Sequence, residues 1–174
     1  MKLSIPTTEL KNAAAGLSKV VNASASIPVL TCVRLDAEGQ SVRLTGTSID
    51  QTAVYAITVA EPVPAPIAVL ISITQLQTVL KTAQGSSIDI EPGKDAVTIV
   101  AKVAGQNIGR RVETPDIKEW PELPDAVETK PVELGFLASL RQALNFASTD
   151  DSRPLLKSAY LDVDPKKGHR IVAT

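Results

Sequence analysis

The sequence predicts an α+β fold in which two amphipathic helices share one core with antiparallel sheets. Three observations carry this. The order strand, helix, several strands occurs twice between Met1 and Thr114, with weak identity between the halves but matching element order, as in a duplicated unit. Two stretches repeat apolar residues with the period of a helix that buries one face. The strand-like runs are separated by Gly and Asp/Ser clusters, which suit hairpins rather than helical crossovers.

Met1 to Ile5 alternates as a short strand does, and Pro6 ends it. Thr7 or Thr8 is placed to cap a first helix with Leu10, Ala13, Ala14, Leu17, Val20 and Val21 on one face and Lys11, Asn12, Ser18 and Lys19 on the other. Strands are expected at Val29 to Ala37, at Val42 to Thr45 after a turn at Glu38-Gly39-Gln40, and at Thr52 to Val59. Pro62, Pro64 and Pro66 mark an irregular connection into Ile67 to Ile71. Ser72 then caps a second helix carrying Leu76, Val79, Leu80 and Ala83, with Gly85 as its stop. Ile88 to Glu91, the turn Pro92-Gly93-Lys94-Asp95 and Ala96 to Lys102 form a hairpin, and Asn107 to Glu113 adds a strand.

The composition then changes. Pro115, Pro121, Pro124 and Pro131 and many acids surround Trp120, which marks a connecting segment; its lone Trp is expected to dock onto a neighbouring domain. Val132 to Leu134, a helix over Phe136 to Ala147 with Leu137, Leu140, Leu144 and Ala147 in register, and strands at Tyr160 to Val163 and Arg170 to Ala173 begin the pattern a third time. The expected organisation is a first domain over 1–118, a linker over 119–130 and a second domain from 131 to 174. That second domain is expected to be incomplete, because the chain stops on the apolar run Ile171-Val172-Ala173.

Length and composition narrow the function. The 174 residues, 44% of them hydrophobic and 21% charged, describe a globular chain rather than a disordered one. Eighteen bases against nineteen acids give a net charge of −1, so bulk coating of nucleic acid is excluded while local basic surfaces are not. The longest apolar stretch, around Ala65 to Ile73, is broken by Pro66 and too short to span a bilayer. MKLSIPTTELK lacks the apolar core of a signal peptide, and the single Cys32 fits a reducing cytoplasm. The expected location is cytoplasmic. His169, the one histidine, lies in a Lys-Lys-Gly-His-Arg turn and gives a metal site or nucleophilic triad little to build with. Phosphate-loop, dinucleotide and zinc motifs are all missing. Asp50, Asp150 and Asp151 read as turn and cap acids rather than catalytic carboxylates. No catalytic residue, metal or cofactor is expected.

Several short segments, in order and spacing, match one family over essentially the whole chain. They are Met1-Lys2-Leu3, Ile27-Pro28-Val29-Leu30, Leu44-Thr45-Gly46-Thr47, Trp120-Pro121-Glu122-Leu123-Pro124, Phe146 through Arg153, and Val172-Ala173-Thr174. The chain resembles the bacterial DNA polymerase III beta subunits, the replicative sliding clamps. The resemblance implies the DNA clamp fold, with helices on one side of curved antiparallel sheets. It also implies a non-catalytic processivity subunit with three such domains, two subunits closing head to tail around duplex DNA. The implied partners are DNA, the polymerase III catalytic subunit, the clamp loader and, for the full-length ring, a second copy of itself; no membrane is implied.

Carried over residue by residue, the resemblance points to Lys11, Lys19, Lys81 and Arg141 on pore-facing helices. It adds Ser24, Thr149, Arg153, Pro154 and Leu155 at DNA-contacting positions, and Leu156 and Thr174 on one wall of a peptide pocket. The chain departs from the family at three places. Ser24-Ala25-Ser26 and Ile73-Thr74 stand where the family often has a basic residue, and Pro154-Leu155 where it often has aromatic residues. DNA binding by this chain is therefore expected to be weak and its peptide pocket not competent. The rival reading is a stand-alone clamp-fold interaction module that has lost DNA binding.

Overall fold

Strand β1 (Leu3–Pro6) buries Leu3 and Ile5, and the chain then turns directly into α1 (Thr7–Leu17). The computed structural model describes residues 2–123, 134–150, 152–164 and 168–173. The chain divides into two compact units, Met1–Leu123 and Pro124–Thr174.

In the first unit α1 is followed by a 3-10 helix at Pro28–Thr31 and by β2 (Cys32–Thr47), β3 (Thr52–Ser72) and α2 (Ile73–Thr82). Three strands complete it: β4 (Ser87–Pro92), β5 (Ala96–Val103) and β6 (Gln106–Glu113). One antiparallel sheet has the order β1-β4-β5-β6 and a second pairs β2 with β3. Both helices bury their apolar stripes in the core they share with the two sheets, Leu10, Ala13 and Leu17 from α1 joining Ile73, Leu76 and Leu80 from α2. Each fully buried side chain the size of Leu or Ile contributes about 1.5–3 kcal/mol relative to exposure.

The duplication is visible in the pairing. β1 leads into α1 but bonds to β4, the first strand after α2, in the register Leu3↔Ile90 and Ile5↔Ile88. The end of β3 leads into α2 but bonds to the start of β2, the first strand after α1, with Cys32↔Ser72 and Leu35↔Val69. Each half lends its leading strand to the other. The entries to the two helices also share a backbone geometry: φ −57°, ψ 128° at Pro6 and φ −54°, ψ 126° at Ser72.

Several expectations are corrected. Thr7 is the first helical residue rather than the cap. Its hydroxyl donates to Gly85 O at 2.7 Å and its N–H to Ser86 O at 2.9 Å, tying the start of α1 to the exit of α2. Ser72 stands at the cap position of α2, but its hydroxyl makes no capping bond. α1 stops at Leu17, where Lys19 N–H and Val20 N–H turn back to Gly16 O and Leu17 O and the last turn tightens. Val21 is buried nonetheless. Pro28 to Thr31 forms a 3-10 turn, not strand, because proline opens it and Leu30 N–H closes on Ile27 O.

The prolines at 62, 64 and 66 lie within β3 rather than in a connection between strands. Proline cannot donate to a ladder and is tolerated at bulges. The β2–β3 register accordingly shifts between Ala37 and Gly39 and again between Gly39 and Ser41, opposite those prolines. The turn expected at Glu38-Gly39-Gln40 is instead a bulge within the continuous strand β2, so the two strands expected on either side of it are one. Gly39 adopts φ +54°, and the buried positions change parity across it, from Val33, Leu35 and Ala37 to Val42 and Leu44. At the β2–β3 turn Ile49 is held at φ +77° while its N–H donates to the buried Thr47 hydroxyl at 3.0 Å.

In the second unit α3 (Leu134–Leu144) leads through a 3-10 helix at Pro154–Lys157 to an antiparallel pair, β7 (Tyr160–Asp164) and β8 (Gly168–Val172). α3 starts earlier and ends earlier than the Phe136 to Ala147 expectation. Most of the strand expected at Val132 to Leu134 lies outside the described residues; Leu134 itself opens α3. Most of the linker over 119–130, together with Asp151 and Thr174, also lies outside them. The part of the connecting segment that is described belongs to the first unit, and Trp120 is docked there, 7% exposed. No helix among the described residues is long and apolar enough to cross a membrane.

Candidate nucleic-acid interface

α1 and α2 lie side by side, and an open groove runs between them, lined by Lys11, Ala14, Ala15, Gln77, Leu80 and Lys81. The small Ala14 and Ala15 keep its floor low. Lys11 and Lys81 are both exposed and share this groove. Gln77, which no motif in the sequence singles out, stands one turn before Lys81 and so on the same side of α2; that i, i+4 spacing is the signal that could have found it.

Lys11 has a second task. Its Nζ donates to Ala83 O at 3.2 Å, setting a positive charge at the C-terminal end of α2, where the helix dipole is negative. Lys19 is exposed but lies in the turn beyond Leu17, so it is not a helix residue as expected. Ser24 is exposed in the following turn, its N–H donating to Asn22 Oδ1 at 3.0 Å. Glu9, the one acid on α1, accepts a hydrogen bond from the Tyr55 hydroxyl at 3.1 Å, and that bond raises the Tyr55 pKa above its ordinary value.

The charge of the first unit is unevenly spread. α1 with its exit turn and α2 together carry three lysines, Lys11, Lys19 and Lys81, and one acid. The rest of 1–123 carries eight bases and eleven acids. A near-neutral chain thus has a mildly positive helical layer and an acidic remainder.

In the second unit Arg141 is exposed in the last turn of α3, and Thr149, Arg153, Pro154 and Leu155 are exposed together in the segment before β7. That segment is built by local bonds. Ser152 donates to Asp150 Oδ1 through both its hydroxyl, at 2.7 Å, and its N–H, at 2.9 Å, holding the Asp150 carboxyl below the usual carboxylate range. Asp150 is thereby a turn residue, and Asp50 sits exposed in the β2–β3 turn. Leu156, which alone reads as a core residue, is exposed at 38%. Thr174, its expected partner on the pocket wall, lies outside the described residues. No group of three or more His, Cys, Asp or Glu among the described residues is arranged to hold a metal.

The structure therefore brings Lys11 and Lys81 together, keeps Lys19 and Ser24 on the loop after α1, and gathers Thr149, Arg153, Pro154 and Leu155 separately in the second unit. The model of the DNA polymerase III beta subunit N-terminal domain matches residues 1–124. The chain belongs to the DNA polymerase III beta subunit family.

Its fold is that of the solved clamps. The beta subunit of Streptococcus pyogenes superposes at TM-score 0.83 with 22% identity, over 100% of this chain and 47% of that one. The Pseudomonas aeruginosa subunit superposes at 0.79 with 23% identity over the same shares. The Helicobacter pylori clamp, solved with a DNA ligase peptide, superposes at 0.85 with 18% identity, over 100% of this chain and 48% of that one. The chain spans about half the length of these relatives. No curated protein sequence matches it. The α+β arrangement expected from the duplicated pattern, and the clamp fold that the resemblance implied, are the fold observed.

Proposed function

We propose that this chain serves as part of a replicative sliding clamp, lending its helical layer to the wall of a pore around duplex DNA and helping tether the polymerase for processive synthesis. The observation that carries this reading is the uneven charge of the first unit. A clamp must retain DNA by topology and still slide, so it needs few, weak, sequence-independent phosphate contacts. Two lysines on the helices and a third in the exit turn of α1, backed by an acidic remainder, meet that need.

Ring closure requires a surface for a second subunit. β6 is an edge of the four-stranded sheet, with Ile108 half-exposed and its outer row of backbone groups open to a further strand. The clamp loader and the polymerase catalytic subunit are the proposed partners, the cytoplasm the proposed compartment, and the chain's part non-catalytic. In the second unit Arg141, Thr149 and Arg153 are proposed to touch the DNA backbone, with Pro154 and Leu155 replacing stacking by bare apolar contact.

The test is a salt titration of duplex DNA binding to the chain and to Lys11→Gln/Lys19→Gln/Lys81→Gln. Association that weakens with salt, with a log–log slope shallower by about 0.9 for each phosphate contact removed, is the expected result. Salt-independent or absent association, with the fold intact, would favour a clamp-fold interaction module that has given up DNA.

A further inference from the structure

The groove between α1 and α2 is lined by matched positions of the two halves. Counted from the first residue of each helix, Thr7 and Ile73, Lys11 corresponds to Gln77, Ala14 to Leu80 and Ala15 to Lys81. These are the residues that line the groove. The backbone is repeated, but the polar chemistry at its two ends is not.

The difference begins with how each helix stops. Ser18, after α1, stays helical at φ −64°, ψ −11°, so the chain turns back and Val20 and Val21 N–H reach Leu17 O at 3.0 and 2.9 Å. Ala83, the counterpart of Leu17, is extended at φ −67°, ψ 124°, and the chain leaves at once for β4. Carbonyls at such an end need donors from elsewhere. The start of α1 supplies them. Lys11 Nζ donates to Ala83 O at 3.2 Å, the Thr7 hydroxyl to Gly85 O at 2.7 Å and Thr7 N–H to Ser86 O at 2.9 Å. The first N–H of one helix, which has no acceptor within that helix, thus satisfies the exit of the other. At the opposite end Ile73 stands in the place of Thr7 without a hydroxyl, and Gln77 in the place of Lys11 without a charge. The clasp is one-sided.

We propose that Thr7 and Lys11 are positioning residues for DNA binding: they close the end of α2 and thereby hold Lys81 at the groove. This rests on the reading of the helical layer as a pore wall. Lys81 lies in the last turn of α2, just before Ala83, where fraying would displace it first. The bond to Ala83 O also draws the Lys11 ammonium to the negative end of the α2 dipole, which offsets its repulsion from Lys81 in the same groove. Lys11 lends its charge to α2, and Lys81 presents its own to phosphate.

The experiment measures duplex DNA binding by the full chain across a salt series, with amide exchange of the free protein beside it. Three roles give three signatures. Removing a lysine that touches phosphate takes about 0.9 off the log–log slope. Removing one that only supports the fold leaves affinity unchanged while the variant is folded. Removing a positioning lysine lowers affinity at every salt concentration and leaves the slope as it was. The third result is expected for Lys11→Met, with affinity lowered about two- to fivefold and faster exchange at the Ala83 amide. Lys11→Arg should restore both. Thr7→Val changes no charge, at a residue only 6% exposed, and should lower affinity in the same way with the slope again held. Lys81→Gln should instead flatten the slope by about 0.9. A Lys11→Met slope flattened like that of Lys81→Gln, or an affinity left unchanged, would overturn the proposal and leave the pore reading standing. Absence of duplex binding by the parent chain would remove both.

Discussion

The two units use the same local grammar and reach opposite ends of burial. Each has an 11-residue helix, a proline-opened 3-10 turn and a strand after it. In the first unit α2, β3 and a four-stranded sheet return over these elements, and 28 buried apolar residues form one core. In the second, none of the residues whose side chains are described is buried, and Leu137, Phe146 and Leu155 are each more than half exposed. Helix and strand formation is therefore local here, while burial depends on partners far along the chain. Amphipathic pattern states which face needs covering, not whether it is covered.

The sharpest way to break that contrast is to remove leucines from both units. Leu76→Ala in α2, at 0% exposure, should cost about 2–5 kcal/mol in denaturant unfolding. Leu144→Ala in α3, at 44% exposure, should cost less than about 1 kcal/mol. Equal losses would mean that the α3 face is packed in solution. A smaller effect is expected from glycine. A Cβ at Gly46 would meet Val21 Cγ2 at 2.6 Å and Leu17 Cδ2 at 3.3 Å, so Gly46→Ala should destabilise by about 1–3 kcal/mol. Gly135 in α3 has nothing within 4 Å of the same position, and Gly135→Ala should stabilise by about 0.4–1 kcal/mol. Thermal midpoints of the two variants, moving in opposite directions, would check this.

The smallest effects lie in titration, and the units differ in sign. The Tyr55–Glu9 bond raises the Tyr55 pKa, so its contribution is complete below the ordinary tyrosine value of about 10 and fades as pH rises through the raised one. The Ser152 bonds lower the Asp150 pKa, so their contribution is complete above the ordinary value of about 3.9 and fades as pH falls through the lowered one. Ultraviolet titration should show the Tyr55 midpoint falling in Glu9→Gln. Carboxyl NMR should show the Asp150 midpoint rising in Ser152→Ala. An unmoved midpoint in either would remove that bond from the account.

Much of the fold was legible because its signals are local. Both helices, the Pro92–Asp95 hairpin and the docking of Trp120 follow from periodicity, turn residues and an aromatic side chain in a polar segment. The misread features depend on distant partners. Thr7 has the composition of a cap, but the acceptor it uses, Gly85 O, comes seventy-eight residues later. The prolines of β3 are accommodated by a shift in the partner strand, which no window around them reveals. The site was legible at the level of charge, in Lys11 and Lys81, but not in their geometry. That Lys11 also closes the end of α2 depends on where Ala83 comes to rest.

The exchange of leading strands between the halves has a consequence for synthesis on the ribosome. β1 is made first, yet its hydrogen-bonding partner Ile90 follows only after both helices and the long β2–β3 pair. At about 5–20 residues per second, Leu3 waits roughly 4–17 s for that partner. During that interval the nascent chain presents an apolar strand with no sheet to join, and the β2–β3 pair can assemble before β1 does. By the same logic one half made alone would lack a mate for its leading strand, and two copies of it would complete each other. A single-chain duplication that tethers the mates converts that encounter between molecules into one within a molecule.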